Sequence, residues 1–141
     1  MKNIFFTGHP IYQSQAIGIV RIIVGIFMIY HGWEVFSPTK MAEYAAWDSF
    51  KNTGVANFLV YLGKGAELVG GVFLTIGLFT RISCLILGGT MLYVAFILGN
   101  GKIWYEDQYP FLFVLLAFLL FFTGPGSWSI DKTSRTKKDS F

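Results

Sequence analysis

Four long apolar runs divide the chain, at residues 16–36, 57–79, 82–99 and 108–123. Each approaches the roughly 20 residues an α-helix needs to cross about 30 Å of hydrocarbon, the last two falling somewhat short. A helix on a water-soluble domain alternates polar and apolar faces over such lengths; the stretch from Leu112 to Phe122 has no polar side chain at all. The pattern predicts an all-α protein, a four-transmembrane-helix bundle forming one domain over residues 1–141. Between the first two runs, Met41, Tyr44, Trp47 and Phe50 recur at helical spacing, which predicts a short helix on the membrane interface in that first outer loop. Gly124-Pro125-Gly126 reads as a helix stop.

Small residues suggest how the runs pack. In lipid, helices associate where small side chains let backbones approach closely. The first run has Gly18, Gly25 and Gly32, and the second has Gly63, Gly70 and Gly77, both at seven-residue intervals. A seven-residue repeat drifts by only about 20° on a straight helix, so each set forms one seam. Laid antiparallel, Gly18 is expected to meet Gly77, Gly25 to meet Gly70, and Gly32 to meet Gly63. Gly88 and Gly89 on the third run leave homo-oligomer formation open.

Composition agrees, with 54% hydrophobic, 18% aromatic and 13% charged residues. The N-terminus lacks the clean apolar core of a cleavable signal, so the first run is expected to serve in targeting. Four spans place both termini on one side, with Lys2, Arg81, Lys132, Arg135, Lys137 and Lys138; the opposite loops hold Lys40, Lys51 and Lys102 among acidic residues. The excess of cations predicts cytoplasmic termini. Residues 132–141 form a basic tail suited to anionic lipid, with no pattern for nucleic acid. Trp33, Trp47 and Trp104 fit one membrane interface and Trp128 the other.

The candidate chemistry lies in the few charges inside these runs. An ionisable group in hydrocarbon costs several kcal/mol and usually faces the bundle interior, often at a site. With the glycine register above, His31 comes level with Lys64, and Glu67 falls a turn deeper, opposite Met28. Glu34 follows His31 by three residues and Glu67 follows Lys64 by three, so each pair shares a helix face. Glu106, before Pro110, is a further candidate for this group, whereas Asp107 suits the positive end of a helix dipole. Arg21 lies about 15 Å further along the first helix, either snorkelling to the interface or in an interior ion pair; Arg81 is likewise assigned to an ion pair or the interface. Cys84 is alone, which excludes an internal disulfide. No cluster of His and Cys fits zinc, no second strong ligand faces His31 for haem except Met91, and His9 lies in a polar segment. Phosphate loops, nucleophile triads and glycine-rich cofactor turns are missing.

The run from Glu67 through Gly70-Gly71 and Gly77 to Arg81 resembles the second-span signature of the DoxX family of small bacterial membrane proteins. Arg21 with His31-Gly32 is similar to the first-span pattern, and Gly124 to Asp131 to the closing motif; Glu34 and Val35 stand where a lysine often follows the His-Gly pair. The resemblance implies a four-helix bundle of the bacterial cytoplasmic (inner) membrane. It also implies an association with respiratory or sulfur-linked redox systems, since relatives include membrane subunits of quinone-coupled oxidoreductases. Three readings of the buried charges follow: a site for a quinone or similar lipophilic ligand, served by a soluble or membrane redox partner protein; a salt-bridge network with a structural or assembly role; or a small-solute conduit. A ligand site requires a cavity beside the cluster, a network requires direct pairing, and a conduit requires a continuous polar path towards Arg21.

Overall fold

The structure, a computed structural model, describes the backbone of residues 8–138 and side chains from Gly8 to Ser134. Lys2 and the side chains of Arg135, Lys137 and Lys138, all counted in the charge asymmetry, lie outside the described residues. The described residues are helical, with no strand. Helix α1 spans Gln13–Gly32 and tightens into a 3-10 turn at Trp33–Phe36. A short helix α2 follows at Pro38–Ala45, then α3 at Ala56–Ile76, α4 at Thr80–Tyr93, α5 at Gln108–Thr123 and α6 at Ile130–Lys138.

Three stretches are long and apolar enough to cross a membrane, Gln13–Phe36, Ala56–Ile76 and Thr80–Leu98, and α5 is a shorter apolar helix. Their ends differ from the sequence reading at identifiable points. The second run stops at Ile76 because Gly77 takes a left-handed φ of 70°; Gly77 N–H then bonds the Leu74 carbonyl, and Leu78 N–H the Phe73 carbonyl. That pair of bonds closes a helix whose last carbonyls would otherwise be bare. The third run begins two residues early, at Thr80, and its last turn, Val94–Leu98, is wound as a π-helix. The basic tail begins within a helix, Ile130–Lys138, that the apolar pattern does not predict.

Helix α1 packs most extensively on α3, and α4 packs on α5 and, to a smaller extent, on α3, while α1 and α5 touch only lightly. The main core gathers Val24, Met28, Leu74, Cys84, Leu87, Met91, Ala117 and Leu120 from all four apolar helices. Met41, Phe50 and Val60 form a second cluster that pins α2 onto α3. The outward faces are apolar too: Ile19, Ile23, Ile26 and Phe27 on α1 and Leu115, Phe118 and Phe122 on α5 are each about half exposed or more. Such a surface suits acyl chains rather than water.

The α1–α3 contact uses glycine in another register than the seven-residue seams suggest. Added to Gly25, a Cβ would overlap Thr75 and come within 2.9 Å of the Gly71 carbonyl; added to Gly32, it would overlap the Leu68 backbone. Gly71, not Gly70, is therefore the close-approach residue of α3. Gly70 faces Leu87 of α4, and Gly63 has open space around it. Gly18 and Gly77 do not meet either. Gly18 packs on Ser127 and Trp128, and Gly77 on Ser129 and Arg21. Seven-residue spacing identified the surface of α1 but rotated α3, because its neighbour on the other side, α4, also requires a small residue.

Candidate functional site

Polar side chains gather at the two ends of the bundle, with the apolar core between them. At the end formed by the α1 C-terminus, α2 and the first half of α3, Lys64 projects from α3 and reaches three acceptors. Its ammonium lies 3.0 Å from Glu67 Oε2, 3.1 Å from Glu34 Oε2 and 3.4 Å from the His31 carbonyl. Three donors meet three acceptors, so the ammonium is satisfied without water. Glu67 is 4% exposed, one turn along α3 from Lys64, and depends on it for neutralisation.

The short helix α2 completes this group. Tyr44 donates its hydroxyl to Glu34 Oε2 at 2.7 Å, Lys40 reaches Glu34 Oε1 at 3.2 Å, and the Lys64 ammonium stands 5.2 Å from the centre of the Tyr44 ring. Burial, together with the bond to Glu34, pushes the Tyr44 phenol well above its ordinary range, so it stays a donor. Two cations and two carboxylates thus join α1, α2 and α3 into a chain of ion pairs, Lys40–Glu34–Lys64–Glu67.

This chain borders a cavity of about 230 Å³ between α3, α4 and the start of α5. Lys64, Glu67 and His31 form its polar side, while Phe50, Leu59, Met91 and Phe113 are among its apolar lining. Trp47, Tyr93 and Tyr109 line it too and are exposed, so the cavity opens through aromatic side chains. Val94 and Leu98, first and last of the π-helical turn, form part of the wall. Widened turns of this kind recur beside functional sites.

Of the other sequence candidates, His31 stays at the edge of the cavity and the rest fall elsewhere. The His31 ring is exposed and packs edge-on against Tyr30 at 5.8 Å, its contribution to Lys64 coming from the backbone. Glu106 stays out of the cluster, pairing at 3.5 Å with Lys102 on a solvent-exposed turn. Asp107 turns back to accept from the backbone N–H groups of Asn100 and Lys102 at 3.0 and 2.9 Å, which fixes the loop before α5. Among the described residues no group of three or more His, Cys, Asp or Glu is placed to hold a metal ion. Met91 and Cys84 are core residues.

Arg21 is fully buried at the opposite end, and neither snorkelling nor an ion pair describes it. Nε donates to the Pro125 carbonyl at 2.8 Å. One terminal nitrogen donates to Leu74 and Thr75 at 2.5 and 2.6 Å, the other to Ser127 and Trp128 at 3.3 and 2.8 Å. All five N–H groups of the guanidinium are used, on carbonyls from the last turn of α3 and from the connection after α5. A helix C-terminus has unpaired carbonyls and a negative dipole end, so a cation is well placed there. Asp131 completes the closure by accepting from the backbone N–H groups of Phe79 and Thr80 at 2.9 and 2.8 Å, capping α4 from α6. Arg81 is exposed beside this cap, with no ion pair among the described residues.

Sequence reasoning overlooked three residues: Tyr44, Lys40 and Asp131. The amphipathic spacing of α2 marked Tyr44 as apolar, although its hydroxyl does the bonding. Lys40 entered only the tally of loop charges. Asp131 stood inside the closing motif without a role, because its partners are backbone groups that have no sequence signature.

Comparison with known proteins agrees with this architecture. Over 127 residues the chain is 28% identical to an uncharacterized protein of Haemophilus influenzae, covering 85% of this chain and 91% of that one. It is 29% identical over 134 residues to the inner membrane protein YqjF of Escherichia coli, covering 89% and 96%. No solved structure matches significantly. The family model for DoxX matches residues 16–100, which include Arg21, the whole Lys40–Glu34–Lys64–Glu67 chain and the α3–α4 turn, and the chain belongs to the DoxX family.

Proposed function

We propose that this protein is a multi-pass component of the bacterial cytoplasmic (inner) membrane that binds a small, flat, lipophilic ligand of the quinone type in the cavity beside Lys64 and Glu67. The cavity itself carries the reading. It joins an aromatic lining to a buried ion pair, the combination of apolar walls and a few convergent polar groups by which small molecules are held. Its volume of about 230 Å³ suits a single ring, with any tail passing out beside Tyr93 and Tyr109. Bound there, a quinone would supply electron and proton exchange to a redox partner protein, making this chain an accessory subunit. Lys64 would exchange its 3.4 Å bond to the His31 carbonyl for one to a ring oxygen, and Glu67 would hold or release the accompanying proton. The name of the Escherichia coli relative supports the location, and the Lys/Arg asymmetry supports cytoplasmic termini. A C-terminal reporter active only in the cytoplasm tests that orientation.

A second reading rests on the direct pairing of Lys64 with Glu34 and Glu67 at 3.1 and 3.0 Å, which makes the chain of ion pairs a device for setting helix register. A conduit is disfavoured, since Val24, Met28, Leu74 and Leu87 close the interior between the two polar ends. Titrating detergent-purified protein with a short-chain benzoquinone, read by quenching of Trp47 against a Trp47→Phe control, separates the first two. The ligand reading expects saturable quenching, weakened about tenfold or more by Glu67→Gln without loss of fold. Loss of thermal stability in Glu67→Gln, with no saturable quenching in either protein, would leave only the structural role.

A further inference from the structure

At the Arg21 end a groove of about 830 Å³ opens between α1, the α3–α4 turn, the α5 C-terminus and α6. We propose that it is a site for an anionic phospholipid, holding the headgroup phosphate between Arg81 and Lys132. Position is the first support. The groove is lined by Gln13, Thr80 and Thr123, which begin α1, begin α4 and end α5. Three apolar helices thus terminate around it, at the level where hydrocarbon gives way to headgroups.

The lining is amphiphilic in the required order. Arg81 and Lys132 supply positive charge, Lys132 lying 3.4 Å from the Ser14 hydroxyl. Arg81 has no carboxylate within ion-pair distance among the described residues. Among the described residues the lining holds one acidic side chain, Asp131, turned to the N–H groups of Phe79 and Thr80, against these two cations. Ile17 and Ile82 lie one turn or less into the apolar helices from Ser14 and Arg81, and Ile82 and Phe79 are more than half exposed. A soluble anion would have no use for this apolar wall, and a neutral lipid no use for two cations. Basic clefts between membrane helices take anionic headgroups by this combination.

Native mass spectrometry and thermal melting in a mild detergent test the site, with phosphatidylglycerol, phosphatidylcholine or inorganic phosphate added in turn. Phosphatidylglycerol should be retained at one equivalent and should raise the melting temperature. Arg81→Gln and Lys132→Gln should each weaken retention about fivefold, with the helical content of the lipid-free protein by circular dichroism unchanged, and Arg81→Lys should retain much of the binding. Equal retention of phosphatidylcholine would overturn headgroup recognition. Equal protection by inorganic phosphate would make the site one for a soluble anion. Undiminished retention in both glutamine variants would place the lipid elsewhere on the protein.

Discussion

Arg21 and Lys64 are both cations within apolar helices, yet they are stabilised by different chemistry. Lys64 has two carboxylates and a carbonyl, whereas Arg21 has five carbonyls, a geometry only the planar guanidinium can serve. Arg21→Lys should therefore be almost as harmful as Arg21→Met, each losing roughly 3 kcal/mol or more in detergent melts because several carbonyls lose their donor. A lysine variant that melts like the wild type would contradict this. Tyr44→Phe removes one half-buried hydrogen bond to Glu34 and should cost about 1 kcal/mol. Because the folded phenol is held above its ordinary value of about 10, its contribution is fully present below that pH. It is lost only as pH rises through the higher folded value, so the wild-type advantage should be flat from pH 6 to 9. Among the glycines, Gly32→Ala must displace the Leu68 backbone and should cost roughly 1–3 kcal/mol, whereas Gly63→Ala meets open space and should be neutral or mildly stabilising. The charges at these positions were readable in the sequence because ionisable groups within apolar runs are rare. Their partners were not, since backbone carbonyls look the same in every residue.

Helix α4 shows what an element owes to residues outside it. Its N-cap, Phe79, has a left-handed φ of 48°, a conformation that costs a bulky residue about 1–3 kcal/mol. Asp131 holds it there by accepting both the Phe79 and Thr80 N–H groups. Asp131→Ala should lower stability by about 1–2 kcal/mol and speed hydrogen exchange in the first turn of α4; unchanged exchange there would remove the capping role. The apolar helices themselves were legible, because a run without polar side chains has few other structures open to it in lipid. Their ends and rotations were less so. Gly77 ends α3 earlier than hydropathy implies, and the glycine repeat assigned Gly70 to α1 although it serves α4. Hydropathy cannot distinguish which of two apolar neighbours a small residue faces.

Across the whole molecule, polarity is divided between two ends separated by a filled apolar core. One end is a chain of ion pairs bordering a cavity, and the other is a clamp of carbonyls and caps. This division was foreseeable from Arg21 lying far along α1 from His31 and Glu34, but the sealing of the clamp by the segment after α5 was not. A chain stopped after Thr123 loses Pro125, Ser127, Trp128 and Asp131 together, and should melt well below the full protein while keeping its helical content by circular dichroism. Equal melting temperatures would show that the clamp is dispensable. The clamp also has a consequence for the order of assembly. Three of the carbonyls that satisfy Arg21 lie 104 to 107 residues later in the chain. During synthesis, which proceeds from the N-terminus, the first apolar helix must therefore enter the membrane with its guanidinium still bonded to water or lipid headgroups. The bundle can lock only after Trp128 has been made.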